Sequence, residues 1–270
     1  MNKFKGFLFG MTASSTFGLL PLFTLPIMSE GLTTNSILCY RMLFASVLVA
    51  VLMQVRKIAF RTNLRELLWF AFLGFFYYGS ASLLFQAYGT MSSGMATTLH
   101  FLYPVGVTLI MALVFKQRPS PFTILAIILG LSGVALLSLK EGGGSSSASL
   151  VGILLVLLSG LSYAAYLVTM NNVRRVRESN NLKLTLYVLI FSALFFLLDT
   201  SLSGGLQMIP SGRALTNLLL LAFLPTLVSN LALVRAVKSI GSTLTSVLGA
   251  MEPLTAIVIG VVVFGEEVTG

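Results

Sequence analysis

Long apolar runs separated by short polar loops dominate this sequence. A helix needs ~20 apolar residues to cross the hydrocarbon core of a bilayer, and nine runs approach that length. The runs lie near Phe4–Met28, Thr33–Val55, Glu66–Tyr88, Met95–Phe115, Pro121–Leu139, Leu150–Met170, Leu182–Leu198, Ala214–Val234 and Ser242–Phe264. The short loops favour antiparallel packing of neighbouring helices. The pattern therefore predicts an all-α polytopic membrane protein.

Composition agrees with this interpretation. The chain of 270 residues is 56% hydrophobic and only 9% charged, whereas a soluble protein has roughly a quarter of its residues charged. Lys3 and Lys5 precede the first apolar run, as in a signal peptide. That run is too long for a signal segment and shows no clear cleavage site, so we interpret it as a retained first helix.

The basic residues explain the net charge of +9. In a soluble protein such a charge would suggest a nucleic-acid partner. Here the basic residues cluster in alternate loops, namely around Lys3, Arg56–Arg65, Lys116–Arg118, Arg174–Lys183 and Arg235–Lys238, while the opposite loops hold most of the acids. The positive-inside rule then places the N-terminus in the cytoplasm, and no nucleic-acid partner is expected.

Few residues suit enzymatic or metal chemistry. Cys39 is the single cysteine and His100 the single histidine, so we expect neither a disulfide nor a metal cluster nor a cofactor. Gly130-Leu131-Ser132-Gly133 matches the Gly-x-Ser-Gly string of intramembrane serine proteases, with His100 as the base. In those proteases the histidine follows the serine, so the protease remains a remote alternative, and we expect a protein that is not an enzyme.

The two halves of the chain resemble each other. Phe85–Arg118 aligns without a gap on Val234–Glu267, and Pro104 then matches Pro253. Basic residues follow the fourth run and acidic residues follow the ninth, as expected if the second copy is inserted upside down. We therefore predict an inverted repeat of two five-helix bundles, residues 1–140 and 150–270, joined by a Gly/Ser linker at 141–149. Nine runs leave the second copy one short, so we expect that the chain is truncated and lacks a tenth helix.

Three stretches carry a family resemblance. They are Tyr40-Arg41-Met42-Leu43-Phe44-Ala45, the segment Gln86–Ala96 leading to Tyr103-Pro104, and Glu252-Pro253 leading to Phe264-Gly265-Glu266-Glu267. Together they resemble the EamA-type members of the drug/metabolite transporter superfamily over essentially the whole chain. The first copy departs from the family pattern because it has Tyr103 in place of a glutamate.

The resemblance implies a ten-helix carrier with a central cavity in the bacterial inner membrane. Members of the family mostly move small metabolites, amino acids or amphipathic compounds, often outward, by facilitated diffusion or proton-coupled exchange. The function we predict is accordingly a secondary transporter, an exporter, that works by alternating access. Its expected partners are a small-molecule substrate, the lipid bilayer and protons as a candidate coupling ion, and it would be a monomer or weak homodimer. The alternative is a truncated, non-transporting scaffold or oligomerisation protein.

Polar residues recur at helical spacing within several runs, which predicts a shared cavity. The substrate-binding candidates are Tyr78, Ser82, Gln86, His100, Tyr103, Tyr163, Tyr166, Asn230 and Thr245. The aromatic members favour a partly apolar ligand. The alternative interpretation is that the serines and threonines bond to their own helices and that small residues let helices pack closely.

Glu252 is the candidate for proton coupling, because a carboxyl inside a membrane normally faces a cavity or a partner. It could instead bond the backbone groups that Pro253 frees. Arg41 could extend to the interface, pair with Glu252 or meet an anionic substrate; we class it as structural. Pro104 and Pro253 are expected to break their helices and act as hinges.

Overall fold

The computed structural model describes residues 3–87, 90–91, 96, 99–121, 123–125, 127–129, 132 and 150–264. Every regular element in these ranges is helical. The helices are α1 (Lys3–Phe17), α2 (Leu20–Ser29), α3 (Thr34–Val55), α4 (Leu64–Ala87), α5 (Tyr103–Leu113), α6 (Leu150–Asn172), α7 (Arg174–Glu178), α8 (Asn181–Leu202), α9 (Gly212–Ala222), a π-helix (Phe223–Val228), α10 (Ser229–Leu248) and α11 (Met251–Phe264). The predicted linker and most of the predicted fifth span lie outside the described residues.

Six segments of the described chain are long and apolar enough to cross a membrane. They are Lys3–Ser29, Thr34–Val55, Leu64–Ala87, Leu150–Asn172, Asn181–Leu202 and Gly212–Leu248. Large apolar side chains stay exposed on the outside of the bundle, for example Leu113 and Leu202, where hydrocarbon can contact them. The prediction of an all-α, multi-pass membrane protein is confirmed.

Breaks divide several predicted runs. The first run ends as α1 at Phe17 and resumes as α2 at Leu20, with Pro21 in the first turn of α2. A loop was expected between the eighth and ninth runs, but helix continues there except at Gly241. The φ of Gly241 is +85°, a left-handed conformation that side chains disfavour. One glycine therefore separates two spans that the hydropathy pattern separated by a loop.

Reciprocal contacts relate the two halves. Ser229 Oγ on α10 donates a hydrogen bond to the Ala13 carbonyl on α1 (2.9 Å). Ser159 Oγ on α6 donates to the Ser80 carbonyl on α4 (2.5 Å). Ser229 lies 149 positions after Ser80, which is the offset between the aligned repeats. Ser159 lies 146 positions after Ala13, close to the same offset. The pairs α1–α10 and α6–α4 are thus equivalent contacts around a pseudo-two-fold axis.

The helix directions make the repeat inverted. Ser162 Oγ on α6 donates to the Phe76 carbonyl on α4, while Thr90, further along the chain than α4, lies beside Gly152 at the start of α6. The two helices are therefore antiparallel. Short loops join α1 to α4 through one intervening span, so α1 and α4 cross in the same sense and α6 crosses in the opposite sense to its equivalent α1. The predicted inverted repeat is confirmed, and the missing tenth helix stays a prediction.

Close packing of α4 against α8 supplies a stability prediction. A Cβ added at Gly74 would lie 2.6 Å from the Cβ of Phe191 and 3.1 Å from the Val188 carbonyl. Gly74→Ala is expected to destabilise the bundle by about 1–3 kcal/mol, because the two helix backbones must separate. The measurement is thermal unfolding in detergent. Gly212→Ala is the matched control, since nothing lies within 4 Å of its added Cβ; equal stability of both variants would contradict the packing.

Candidate functional site

Two broken helices meet at the centre of the bundle. A turn at 101–102 precedes α5, and a turn at 249–250 precedes α11. Pro104 and Pro253 lie in the first turns of these helices, where proline costs no hydrogen bond because the first N–H groups have no helical partner. Tyr103 and Glu252 therefore occupy equivalent positions in the first turn after each break.

These two equivalent residues line the same cavity. Its walls are Ala13, Ser14, Phe17, Tyr103, Tyr163, Leu167, Ser229, Leu233, Thr245 and Glu252, drawn from both repeats. The free space is about 10 Å³, room for about one water molecule. Tyr103 reaches across the symmetry axis, and its hydroxyl fills the place that a Cβ would take at Gly249. The cavity lies where the repeats meet.

Four of the sequence-predicted residues line this cavity or its edge. Tyr103, Tyr163, Thr245 and Glu252 are wall residues. Tyr166 lies behind Tyr163, with ring centroids 5.9 Å apart. Thr245 Oγ1 donates to the Gly241 carbonyl of its own helix, as the alternative interpretation for threonines expected, so its methyl group and oxygen lone pairs are what it can offer a ligand.

His100 is buried beside the cavity. Its Nδ1 lies 3.1 Å from Ser159 Oγ, and that hydroxyl also contacts the Ser80 carbonyl. A carbonyl only accepts, and a serine has a single hydroxyl proton, so the serine proton goes to Ser80 and His100 Nδ1–H donates to Ser159. The ring centroid of His100 lies 5.7 Å from that of Tyr103. His100 thus presents its Nε2 as the remaining acceptor.

Arg41 lies in the same central layer, 2% exposed. Its Nε donates to Thr226 Oγ1 (2.6 Å) and its Nη2 lies 3.4 Å from the Tyr77 hydroxyl. Asn230 Nδ2 donates to the same Tyr77 hydroxyl (3.1 Å). Thr226 is placed by the π-helix, where its own hydroxyl donates to the Leu221 carbonyl. Arg41 therefore does not extend to the interface, and Asn230 belongs to its polar cluster.

Three of the predicted residues lie outside the walls of the central cavity, namely Tyr78, Ser82 and Gln86. Tyr78 packs against Phe195 and Phe196 of α8, at centroid distances of 5.7 and 4.7 Å. Gln86 Nε2 donates to Ser82 Oγ (3.1 Å). The three residues share a helix face, as predicted, but none of them is among the walls of the central cavity.

The opposite side of α4 supplies a residue that sequence reasoning missed. Tyr77 is buried, and its ring lies tilted against that of Tyr166 with centroids 5.4 Å apart. Tyr77 lies 149 positions before Thr226, so extending the repeat alignment would pair it with another polar residue of the central layer. Phe17 is a second residue outside the predicted set of substrate-binding candidates, although its ring lies 5.3 Å from the Arg41 guanidinium carbon and it is also a cavity wall.

Hydrogen bonds close the bundle at one end, between the α2–α3 turn and the segment before α9. The Gln207 side chain accepts from the Thr33 N–H (2.5 Å), and the Gln207 carbonyl accepts from the Tyr40 hydroxyl (2.8 Å). Asn35 Nδ2 donates to Asp199 Oδ2 (3.3 Å). We call these contacts the acidic-end tether, because this end carries the loops poor in basic residues.

A second set closes the opposite end. Tyr187 donates through its hydroxyl to the Phe60 carbonyl (2.7 Å), and Lys183 Nζ donates to the Arg61 carbonyl (2.8 Å). Lys238 Nζ donates to the Ser179 carbonyl (2.7 Å). These contacts form the basic-end tether. Hydrogen bonds therefore join the two repeats at both ends of the bundle.

Other chemistry finds little support in the described residues. No group of three or more His, Cys, Asp or Glu side chains is placed to hold a metal ion in those ranges. Ser132 is exposed and donates to the Ile128 carbonyl of its own helix. His100 is buried and its side-chain hydrogen bond among the described residues goes to Ser159, so no contact between Ser132 and His100 is seen there.

Comparison with known proteins identifies the family. A sequence model of the EamA-like transporter family matches residues 4–139 and again 150–270. An uncharacterized transporter of Bacillus subtilis (strain 168), YcxC, is 33% identical over 125 residues, which is 44% of this chain and 37% of that protein. A crystal structure aligns with a TM-score of 0.82 over 98% of this chain and 91% of its own, at 19% identity, and so shows a shared fold. The chain belongs to the EamA-like transporter family.

Proposed function

We propose that this protein is a secondary transporter that exports small metabolites, amino acids or amphipathic compounds across the bacterial inner membrane by alternating access. The observation that carries the proposal is the central cavity, which both repeats line and which lies at the breaks of α5 and α11. Substrate sites in inverted-repeat carriers lie at such helix breaks near the midplane. Aromatic walls from Phe17, Tyr103 and Tyr163 suit a ligand with an apolar part.

The arrangement in the membrane follows the loop charges. The basic-end tether joins loops rich in arginine and lysine, so we place that end, together with the N-terminus, in the cytoplasm. The repeats would comprise residues 1–140 and 150–270, with 141–149 as the linker. Protons are the proposed coupling ion, with Glu252 as their carrier, and the protein would act as a monomer or weak homodimer.

Opening one tether at a time would expose the cavity to one side of the membrane. Tyr40→Phe removes the hydroxyl of the acidic-end tether, and Tyr187→Phe removes its counterpart at the basic end. One such hydrogen bond contributes about 1 kcal/mol, so each variant is expected to shift the equilibrium between the two open forms about fivefold, in opposite directions.

Cysteine labelling can measure this shift. A cysteine at the cavity residue Ser14, in a Cys39→Ala background, is treated with a membrane-impermeant maleimide from either side. Tyr40→Phe should raise labelling from outside, and Tyr187→Phe should raise labelling from the cytoplasm. If both variants label alike from each side, the tethers do not control access.

Metabolite export tests the function itself. Cells that overproduce the protein are compared with cells that lack it by untargeted analysis of the medium, and any compound that changes is then followed in proteoliposomes. We expect at least one small metabolite to accumulate outside only when the protein is present. If no compound moves in either assay, the proposal of a carrier is wrong and the alternative of a non-transporting scaffold is favoured.

A further inference from the structure

Arg41 is a buried cation with no carboxylate within ion-pair distance among the described residues. Among the described residues, the ion pair within bonding distance is Arg174–Glu178 at the surface (2.8 Å), and no described carboxylate pairs with Arg41. Burying a charge in a membrane is costly, and such residues normally face a cavity, pair with an opposite charge or serve a ligand. A negatively charged ligand bound at Arg41 would account for the burial of its charge.

The guanidinium keeps unused donors. It carries five N–H groups in a planar fork, and among the described residues two of them have partners, Thr226 and Tyr77. Phe17 lies 5.3 Å from the guanidinium carbon and is also a cavity wall. Three donors thus have no partner among the described residues, and because Arg41 is not itself a wall of the small cavity, they would meet a ligand only once the cavity widens.

The surrounding charges limit what the anion can be. The buried basic side chains of the described chain are Arg41 and His100, and the Nδ1–H of His100 already donates to Ser159. Glu252 is also a cavity wall and is near enough to interact electrostatically with Arg41. A second negative charge on the ligand would find no second cation and would face Glu252 when that carboxyl is ionised. The site therefore suits one delocalised negative charge, and a carboxylate matches the guanidinium fork with two parallel hydrogen bonds.

We propose that Arg41 is the anchor for a carboxylate group of the transported substrate, whose apolar part lies among Phe17, Tyr103 and Tyr163. This inference rests on the proposed transport function and narrows its substrate class to amphipathic monocarboxylic acids. The cavity must widen to admit such a molecule, and this widening accompanies the opening of either tether. In the empty carrier, Glu252 is the group that balances the charge of Arg41.

Binding of matched probes to the purified full chain in lipid nanodiscs tests the assignment. Indole-3-acetate, its amide indole-3-acetamide and indolyl phosphate share an aromatic body and differ in the polar group. Hydrogen bonds to charged groups are stronger than hydrogen bonds between neutral groups. The acid should therefore bind the wild-type protein at least about tenfold tighter than the amide. The phosphate should bind more weakly than the acid.

Two variants localise the effect. Arg41→Met, which keeps the length without the charge, should bind acid and amide with equal affinity, and Arg41→Lys should retain part of the preference for the acid because it lacks the fork. If Arg41→Met does not fold, the wild-type preference and the Arg41→Lys variant still decide. An acid that binds less than about twofold tighter than its amide, or a phosphate that binds tighter than the acid, overturns the proposal, including the case in which no probe binds.

Flux measurements separate this inference from the proposed function. A protein that exports a metabolite without preferring carboxylate probes remains a transporter with another substrate class. A protein that binds the acid through Arg41 but moves no compound in proteoliposomes contradicts transport and leaves a carboxylate-binding site.

Discussion

Transport by the Glu252→Gln variant is expected to be independent of pH. Glutamine keeps the shape and hydrogen-bonding capacity of the side chain but cannot bind and release a proton. In the wild-type protein, a rate that depends on one protonation changes by at most about tenfold per pH unit. The flux of the variant should stay level over the same range.

The surroundings of Glu252 support this expectation. The carboxyl lies in the first turn of α11, where the helix dipole favours negative charge. Arg41 on α3 interacts with it electrostatically, and Tyr103 on α5 and Tyr163 on α6 face the same cavity. A carboxyl that lies near a cation and lines a small cavity can gain or lose its proton when the cavity opens to either side.

The measurement is flux of an identified metabolite in proteoliposomes with an imposed pH gradient. Glu66→Gln is the matched control, because Glu66 accepts a hydrogen bond from Thr62 near the start of α4 and lies outside the cavity walls. The control should keep the pH dependence of the wild type. A Glu252→Gln variant that keeps it as well would remove Glu252 as the proton carrier and favour its structural role beside Pro253.

Gly249→Ala should destabilise the protein and stop transport. The added Cβ would coincide with the Tyr103 hydroxyl and would lie 2.8 Å from the Ser246 carbonyl. Tyr103 is buried against Tyr163, with ring centroids 4.8 Å apart, so its rigid ring cannot move aside without disturbing the central layer. We expect a loss of about 1–3 kcal/mol in the free energy of unfolding, together with loss of flux.

A second substitution distinguishes this clash from a general effect on the helix break. In the Gly249→Ala background, Tyr103→Leu shortens the opposing side chain and should recover part of the lost stability. Flux is not expected to return, because Tyr103 is a wall of the proposed substrate site. Thermal unfolding and proteoliposome flux are measured on the same samples. Wild-type stability of Gly249→Ala would show that Tyr103 does not lie against Gly249.

Some of the candidate site could be predicted from sequence because the internal repeat carries geometric information. The alignment that pairs Tyr103 with Glu252 relates two residues by a two-fold axis, and residues near such an axis meet each other. The same reasoning did not extend to Tyr78, Ser82 and Gln86. Their shared helix face was correct, but periodicity cannot tell whether that face meets a cavity or the neighbouring helix α8.

Helix breaks were predicted unevenly for a related reason. Pro104 and Pro253 were expected to interrupt their helices, since proline lacks the N–H that a helix interior needs. Gly241 was not recognised, because a glycine costs a helix little and acts as a break only when the chain must reverse there. The π-helix Phe223–Val228 contains Pro225, whose missing N–H interrupts regular α-helical bonding.

The sequence by itself determined the membrane class, the two repeats, their inversion and the central importance of the two prolines. These properties follow from hydropathy, loop charge and internal similarity, which are patterns along the chain and do not depend on how distant segments pack. Only the tertiary structure decided that Arg41 turns inward, that His100 is bound to Ser159, and that hydrogen bonds tether the repeats at both ends of the bundle. Such facts depend on which helix faces meet, and packing between distant segments sets those faces.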